Sequence, residues 1–299
     1  MPVDSRRLQG PETTFSYHLY VNKQPQTHSQ WVKQVLKSNG KRSDGRKLDD
    51  IRKIFLKTSV MSQAKGSAYI EVGNTKVICS AFDPREIPNN NKFSLNGELF
   101  CEFKFANFSQ KKRRGFIRDA EEKDLSVCLK RALEPAVCRH EFPNFQVDVY
   151  ALVLEDDGSA LAAAITCASL ALADASIPMY DLVTALTLGV HGDHKFLDPT
   201  SEEERLCCHE PPGQNKNHGL IVLAYATELQ QVTQLKQIGV MDSEFLIEAS
   251  NSLSSHCSQT HKLSQQCLAQ VVLKTTKEKK RLLELGETFK KMDVGSQKD

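Results

Sequence analysis

Apolar residues recur at two different periods along this chain, and the switches between them outline its elements. IFLKTSV (54–60), GSAYIEVG (66–73) and NTKVICSAF (74–82) are strand-like runs, and Gly73-Asn74 between alternating segments is a hairpin signal. GELFCEFKFA (97–106) alternates strictly and places Leu99, Cys101, Phe103 and Phe105 on one face. From Asp119 to Cys138 the period becomes helical, with Leu125, Cys128, Leu129, Ala132, Leu133 and Ala136 in one stripe. Asp119, Glu121 and Glu122 sit in its first turn, where negative charge complements the helix dipole. FQVDVYALVLED (145–156) reads as a strand, and 159–174 as a helix so rich in alanine that something must pack closely against it. DLVTALTLGV (181–190) is another strand, and LDPTSEEERL holds a Pro-Thr turn leading into an acidic helical turn. GLIVLAYA (219–226) and ELQQVTQL (228–235) pair as a hairpin. After Met241 the pattern is helical to about residue 290, with Ser252–Ser255 as the place for an interruption. Strands and helices in this order predict an α/β or α+β sandwich, mixed sheets packed with helices.

The remaining segments carry less pattern. Residues 1–40 are rich in Gln, Ser, Thr, Pro and Asn, and read as an extension without a core of its own, partly disordered. It holds the sole tryptophan, Trp31, beside Val32, Val35 and Leu36 at helical spacing, so a short docking helix competes with a disordered tail. Residues 88–97 are an Asn-rich loop, and 291–299 are a charged tail.

Composition narrows the classes. A chain of 299 residues, 40% hydrophobic and 25% charged, buries a substantial core. With 39 Lys+Arg against 37 Asp+Glu, any nucleic-acid surface must be local. The N-terminus lacks the apolar run of a signal peptide, and no segment has the apolar length of a membrane span. Nine cysteines, an odd number set mostly in apolar patterns, predict reduced thiols in an intracellular compartment.

Lys111, Lys112, Arg113 and Arg114, with Arg118 close by, form the clearest local charge cluster. They lie between a strand and a helix, hence on an exposed loop. Adjacent cations suit a phosphate backbone, although a solvated loop or a localisation signal has the same composition. Asp198, Glu202, Glu203, Glu204 and Glu210 offer hard oxygen ligands for a divalent ion. Glutamates at a helix start also complement the dipole without any metal, and that simpler reading is preferred. Cys207, Cys208 and His209, or Cys257, His261 and Cys267, lack the CxxC spacing of a zinc knuckle, so no metal site is expected. EDDGSAL is not a G-x-S-x-G elbow, and neither a Walker nor a dinucleotide glycine pattern occurs. From the residues alone, no catalytic set is assembled.

RSDGRKLDDIR (42–52), GSAYIEVGNTKVICSAF (66–82), VLEDDGSALAAAITCASLALADASIP (153–178) and LDPTSEEE (197–204), in this order, resemble the RNase PH family over residues 41–290. The phrases VMSQAKGSAYIEVG (60–73), EPAV (134–137) and MYDLV (179–183) are most similar to those of ring subunits of the eukaryotic RNA exosome. The resemblance implies one RNase PH-like domain over 41–290, with a ribosomal-protein-S5-like βαβα arrangement. Active members carry Gly-Gly-Thr-Arg in the turn before the alanine-rich helix, where Thr and Arg hold the attacking phosphate. Asp157, Gly158, Ser159 and Ala160 stand at those positions here. Ser159 can supply a hydroxyl, but Ala160 carries no charge and Asp157 adds the wrong one. The family's acidic segment is altered too: Asp198 is kept, Glu204 or Glu210 can substitute, and Cys208 stands where Asp is frequent.

The resemblance therefore implies a subunit with degenerate phosphate and acidic sites, no catalytic residues and no cofactor. Its expected partners are other RNase PH-like ring subunits, S1/KH cap subunits with Trp31 as a docking element, and an associated catalytic exoribonuclease. RNA would pass through the ring's channel, touching Lys111, Lys112, Arg113, Arg114 and Arg118, and no membrane is involved. Expected locations are nucleus, nucleolus and cytoplasm, in rRNA processing and RNA degradation. An active phosphate-dependent exoribonuclease and a free-standing RNA-binding protein are the alternatives.

Overall fold

A computed structural model describes residues 31–32, 35–36, 41–87, 94–111, 113–192, 194–209 and 217–295. Lys112, Glu210 and residues 1–30 and 296–299 lie outside the described residues. The first sheet contains β1 (Ile54–Thr58), β2 (Gly66–Val72), β3 (Thr75–Ala81), β4 (Arg85–Glu86), β5 (Glu98–Phe105) and β6 (Phe145–Glu155). β1, β2, β3 and β6 run antiparallel in that spatial order. β5 joins the far side of β6 in parallel, which requires the crossover supplied by α1 (Ala120–Leu133). The second sheet has the order β10 (Gln231–Val240), β9 (His218–Ala226), β7 (Val183–His191), β8 (His194–Leu197).

α2 (Ala160–Asp174) lies between the sheets. Every residue from Leu161 to Leu172 is buried, because small side chains let β2 and β3 approach on one side and β7 on the other. β7 is in turn covered on both faces. Val183 and Ala185 join the core around α2, while Leu186, Leu188 and Val190 pack with Ala249, Leu253 and Cys257 of α4 (Ser243–Gly295). A strand with two buried faces reads as a continuous apolar run, and all nine of its residues are buried.

The element types match the pattern in the sequence, with differences at ends and in short pieces. The helix expected to reach Cys138 stops at Leu133. Pro135 lacks an amide hydrogen, and Glu134–Ala136 form a 3₁₀ turn instead. α4 is unbroken at Ser252–Ser255, and it runs on through 295, beyond the expected end near 290. Along that stretch the Ser250 and Ser254 hydroxyls each donate at 2.7 Å to the carbonyl four residues earlier, so serine is accommodated within the helix. β8 and the two-residue β4 were not expected, and β10 runs five residues further than its apolar pattern, to Val240.

Candidate functional site: a turn held by buried arginines and closed by a carboxylate

The turn Asp156–Ser159 joins β6 to α2. Gly158 has φ +88° and Ser159 φ +57°, a left-handed pair that swings the chain into the helix. A Cβ on Gly158 would lie 2.5 Å from the Pro199 carbonyl oxygen, so the turn and the segment after β8 pack backbone against backbone. The Asp156 carboxylate accepts from the Gly158 amide at 3.2 Å and from Gln110 at 2.6 Å, and Thr75 Oγ1 donates to the Gly158 carbonyl at 2.8 Å.

Arg52 anchors this turn from beneath. Its guanidinium donates to both carboxylate oxygens of Asp198 at 2.6 and 2.8 Å, and to the carbonyls of Asp157 and Gly158 at 2.9 and 3.1 Å. Both side chains are buried. Burial opposes the charge on Asp198, but the hydrogen bonds and charge of Arg52 outweigh it and hold the carboxyl below its ordinary range. Two further arginines of the RSDGRKLDDIR segment converge here. Arg42, fully buried, donates to the carbonyls of Leu197 and Asp198 at 2.6 and 3.3 Å and pairs with Glu203 at 3.4 Å. Arg46 reaches the Asp198 carbonyl at 3.4 Å. Asp198 is thus the hub of an arginine cluster. Sequence reasoning noted that segment without assigning its arginines; their shared partner lies about 150 residues away, as the separations of 156, 152 and 146 show.

The acidic helix α3 (Ser201–Cys208) gives each of its glutamates a different partner. Glu203 forms a capping box with Thr200, accepting its amide hydrogen at 2.8 Å. Glu202 pairs with Lys111 at 2.7 Å. Glu204 reaches across to the turn, where its Oε1 accepts the Ser159 amide hydrogen at 2.7 Å. The Ser159 hydroxyl faces the Pro199 carbonyl at 3.3 Å. Burial, with Asp156 nearby, pushes the Glu204 carboxyl up to about 7.

That shift has a sign that can be tested. A carboxyl with a folded value above its ordinary 4.5 contributes stability below that value and loses it as pH rises through about 7. At about 1.4 kcal/mol per unit, the loss approaches about 3 kcal/mol. Glu204→Gln keeps an acceptor for Ser159 but removes the titration. Urea unfolding at about pH 5 and about pH 8 should show the variant gaining stability relative to the parent as pH rises. Equal pH slopes in the two proteins would contradict the assignment.

An open cleft of ≈ 980 Å³ lies over the turn. It is lined by Glu121, Glu155, Asp156, Asp157, Glu202 and Glu204 against Lys76, Lys111 and Arg205, so carboxylates outnumber cations. Ala160 is half-buried at the first position of α2. The turn therefore offers an anion neither a cation nor the Ser159 amide.

The basic loop is divided in its roles. Arg114 is held inside, over the Phe105 ring at 4.2 Å and paired with Glu121 at 2.8 Å. Arg118 is half-buried, donates to Ser126 and lies 3.8 Å from Glu102. Arg113 is exposed with no ion pair among the described residues. Trp31 packs within its own chain, edge-on to His209 at 5.1 Å, as part of a cluster with Val35, Phe196, Leu206, Cys207 and Leu220. Cys207 is buried in that cluster and Cys257 in the one beneath α4. Burial raises both thiols, Cys257 to about 12.

Comparison with known proteins places this arrangement. The model for domain 1 of the 3′ exoribonuclease family, RNase PH, matches residues 50–178. Exosome complex component MTR3 of Homo sapiens is 39% identical over 221 residues, covering 69% of this chain and 76% of that protein. Its Mus musculus counterpart is 34% identical over 285 residues, covering 90% and 95%. Among solved structures, an Archaeoglobus fulgidus exosome with RNA bound to the active site matches 79% of this chain and 98% of its own, with a TM-score of 0.67. At 20% identity that likeness speaks for the fold alone. Sequence relatives and fold agree: the chain belongs to the RNase PH family.

Proposed function

We propose that this chain is a non-catalytic subunit of an RNA exosome ring, pairing with other RNase PH-like subunits around a channel for RNA undergoing 3′→5′ processing and degradation. The observation that carries the reading is the state of the turn at Asp157–Ala160. Phosphorolysis needs a phosphate concentrated and aimed beside an RNA backbone that is itself anionic, which takes a fixed cation. Here the Arg position is Ala160, the neighbouring amide is bound by Glu204, and the cleft has an excess of carboxylates. Several relatives carry the name exosome complex component, which supports the assembly but not the loss of activity.

The surface suits an assembled subunit. β10 is an edge of its sheet, and Val232, Leu235, Ile238 and Val240 are exposed along it. Phe108, Phe116 and Ile117 are exposed around Lys111 and Arg113, a mixture of apolar side chains and cations that fits single-stranded RNA. Lys112 belongs to the same proposed contact, while Arg114 and Arg118 support the loop from within. In this reading S1/KH caps and a catalytic exoribonuclease complete the complex, in nucleus, nucleolus and cytoplasm. The Trp31 segment contributes to a cap contact through surface left over from its packing on the domain.

Native mass spectrometry of the tagged chain, purified from cells at mild salt, tests the assembly. The expected species contains several different RNase PH-like subunits and S1-domain proteins in near-equal amounts. A monomer or a homo-oligomer would overturn the proposal.

A further inference from the structure

We propose that Glu204 is the residue that closes this turn to inorganic phosphate, its carboxylate serving as an internal anion on the Ser159 amide. The inference rests on reading Asp157–Ala160 as a degenerate phosphate site and says what now fills it.

Three observations make the contact a built one. The Glu204 oxygen lies 2.7 Å from the Ser159 nitrogen, a length typical of a charge-assisted bond. α3, which carries Glu204, is fixed against the turn by its own backbone, since the Ser201 amide donates to the Asp157 carbonyl at 3.1 Å. It is fixed again from below, because the Thr200–Glu203 capping box is tied to buried Arg42. The carboxylate is therefore delivered by a rigid element, and an incoming anion must displace a group already in place. An intramolecular ligand of this kind has a high effective concentration.

Charge strengthens the closure. Asp156 and Asp157 flank the same turn, and Arg52, the buried cation beneath it, is occupied by Asp198 and the turn's carbonyls. An arginine restored at position 160 would meet the Glu204 carboxylate before it met phosphate. The missing cation at position 160 and the Glu204 carboxylate both stand between this turn and phosphate, and Asp157 adds like charge beside them.

The test uses the full chain with sodium phosphate as probe, at constant ionic strength and at about pH 8, where the Glu204 carboxyl is ionised. The readouts are the Ser159 amide resonance and the ³¹P linewidth. Neither the parent nor Ala160→Arg should bind. Ala160→Arg/Glu204→Ala should bind at least about tenfold more tightly than Ala160→Arg, with a shift at the Ser159 amide. Equal affinity of Ala160→Arg and the double variant would overturn the role of Glu204, as would a folded double variant with no gain. Should Glu204→Ala fail to fold, Ala160→Arg/Glu204→Gln takes its place. It removes the charge while keeping the acceptor, and a gain over Ala160→Arg is again required. Phosphate binding at Ser159 in the parent would instead sink the reading of the turn as degenerate, a failure distinct from these.

Discussion

Replacing Arg52 with methionine should destabilise the protein by about 3–5 kcal/mol, enough to remove most of the stability of an ordinary domain. The expectation follows from what stays behind. Asp198 would keep a buried carboxylate facing only the more distant Arg46 guanidinium at 3.9 Å, and the carbonyls of Asp157 and Gly158 would each lose a donor. Removing one partner of a buried pair costs far more than the pair contributes, because the remaining charge has no water to return to. Arg52→Lys should recover only part of the loss, since an ammonium cannot span two carboxylate oxygens and two carbonyls at once. The pH dependence has a definite sign. Asp198 titrates below its ordinary 3.8 in the folded chain, so its contribution is present above that value and lost as pH falls below it. Arg52→Met should reduce this part of the acid sensitivity, since only the Arg52 amide and Arg46 would still favour the carboxylate. Urea unfolding at neutral pH is the measurement, and a loss under about 1 kcal/mol would mean that the cluster is not the anchor described.

Gly66→Ala should cost about 3 kcal/mol or more, by a different mechanism. A Cβ at Gly66 would sit 2.1 Å from the Ala175 nitrogen and 2.4 Å from the Ala171 carbonyl oxygen. Those two atoms are hydrogen-bonded to each other at 2.9 Å at the end of α2. No flexible side chain is available to yield, so the helix end must move off β2. Asp174 resists the movement, accepting from the Ser67 amide at 3.0 Å and the Ser59 hydroxyl at 2.8 Å. A melting temperature within a few degrees of the parent would show that the approach of helix and sheet is looser than drawn.

The parts of the fold legible in the sequence were those whose signal is local. Gly73-Asn74 turns the β2–β3 hairpin, with Val72 facing Thr75 across it, because a two-residue turn with positive φ at Gly73 writes itself in two letters. The alanine run of α2 announced a tightly packed helix for the same reason. β8 carries no local signal, because HKFL offers four residues, two of them polar, and takes its strand geometry from pairing with β7. The close approach at Gly66 leaves no pattern, since its partners are backbone atoms more than a hundred positions away.

The candidate site divides along the same line. That Ala160 stands at the position of a cation is what the resemblance to the family implies, and it is carried by the order of letters alone. The reach of Glu204 to Ser159 leaves no local signal, because the two lie 45 positions apart with α2, β7 and β8 between them. In the sequence Asp198 reads as a member of a degenerate acidic site, while in the fold three arginines from one short segment surround it. Residues 42–52 form turns and irregular chain, with neither a helix nor a strand to give their spacing a meaning, so only the fold reveals that the three arginines share a target. The basic loop shows the limit of composition. Arg113 and Arg114 are adjacent in the chain, yet one is solvent-facing and the other lies over Phe105.

We propose that the family's fold persists here without its phosphate chemistry. It is tested most directly by incubating the purified chain with a 3′-labelled RNA in the presence and absence of inorganic phosphate and following nucleoside diphosphate release. No phosphate-dependent release above a buffer control is expected. Release that rises with phosphate and disappears when Ser159 is replaced by alanine would contradict it, and would make Asp157–Ala160 a working site with an unfamiliar set of ligands.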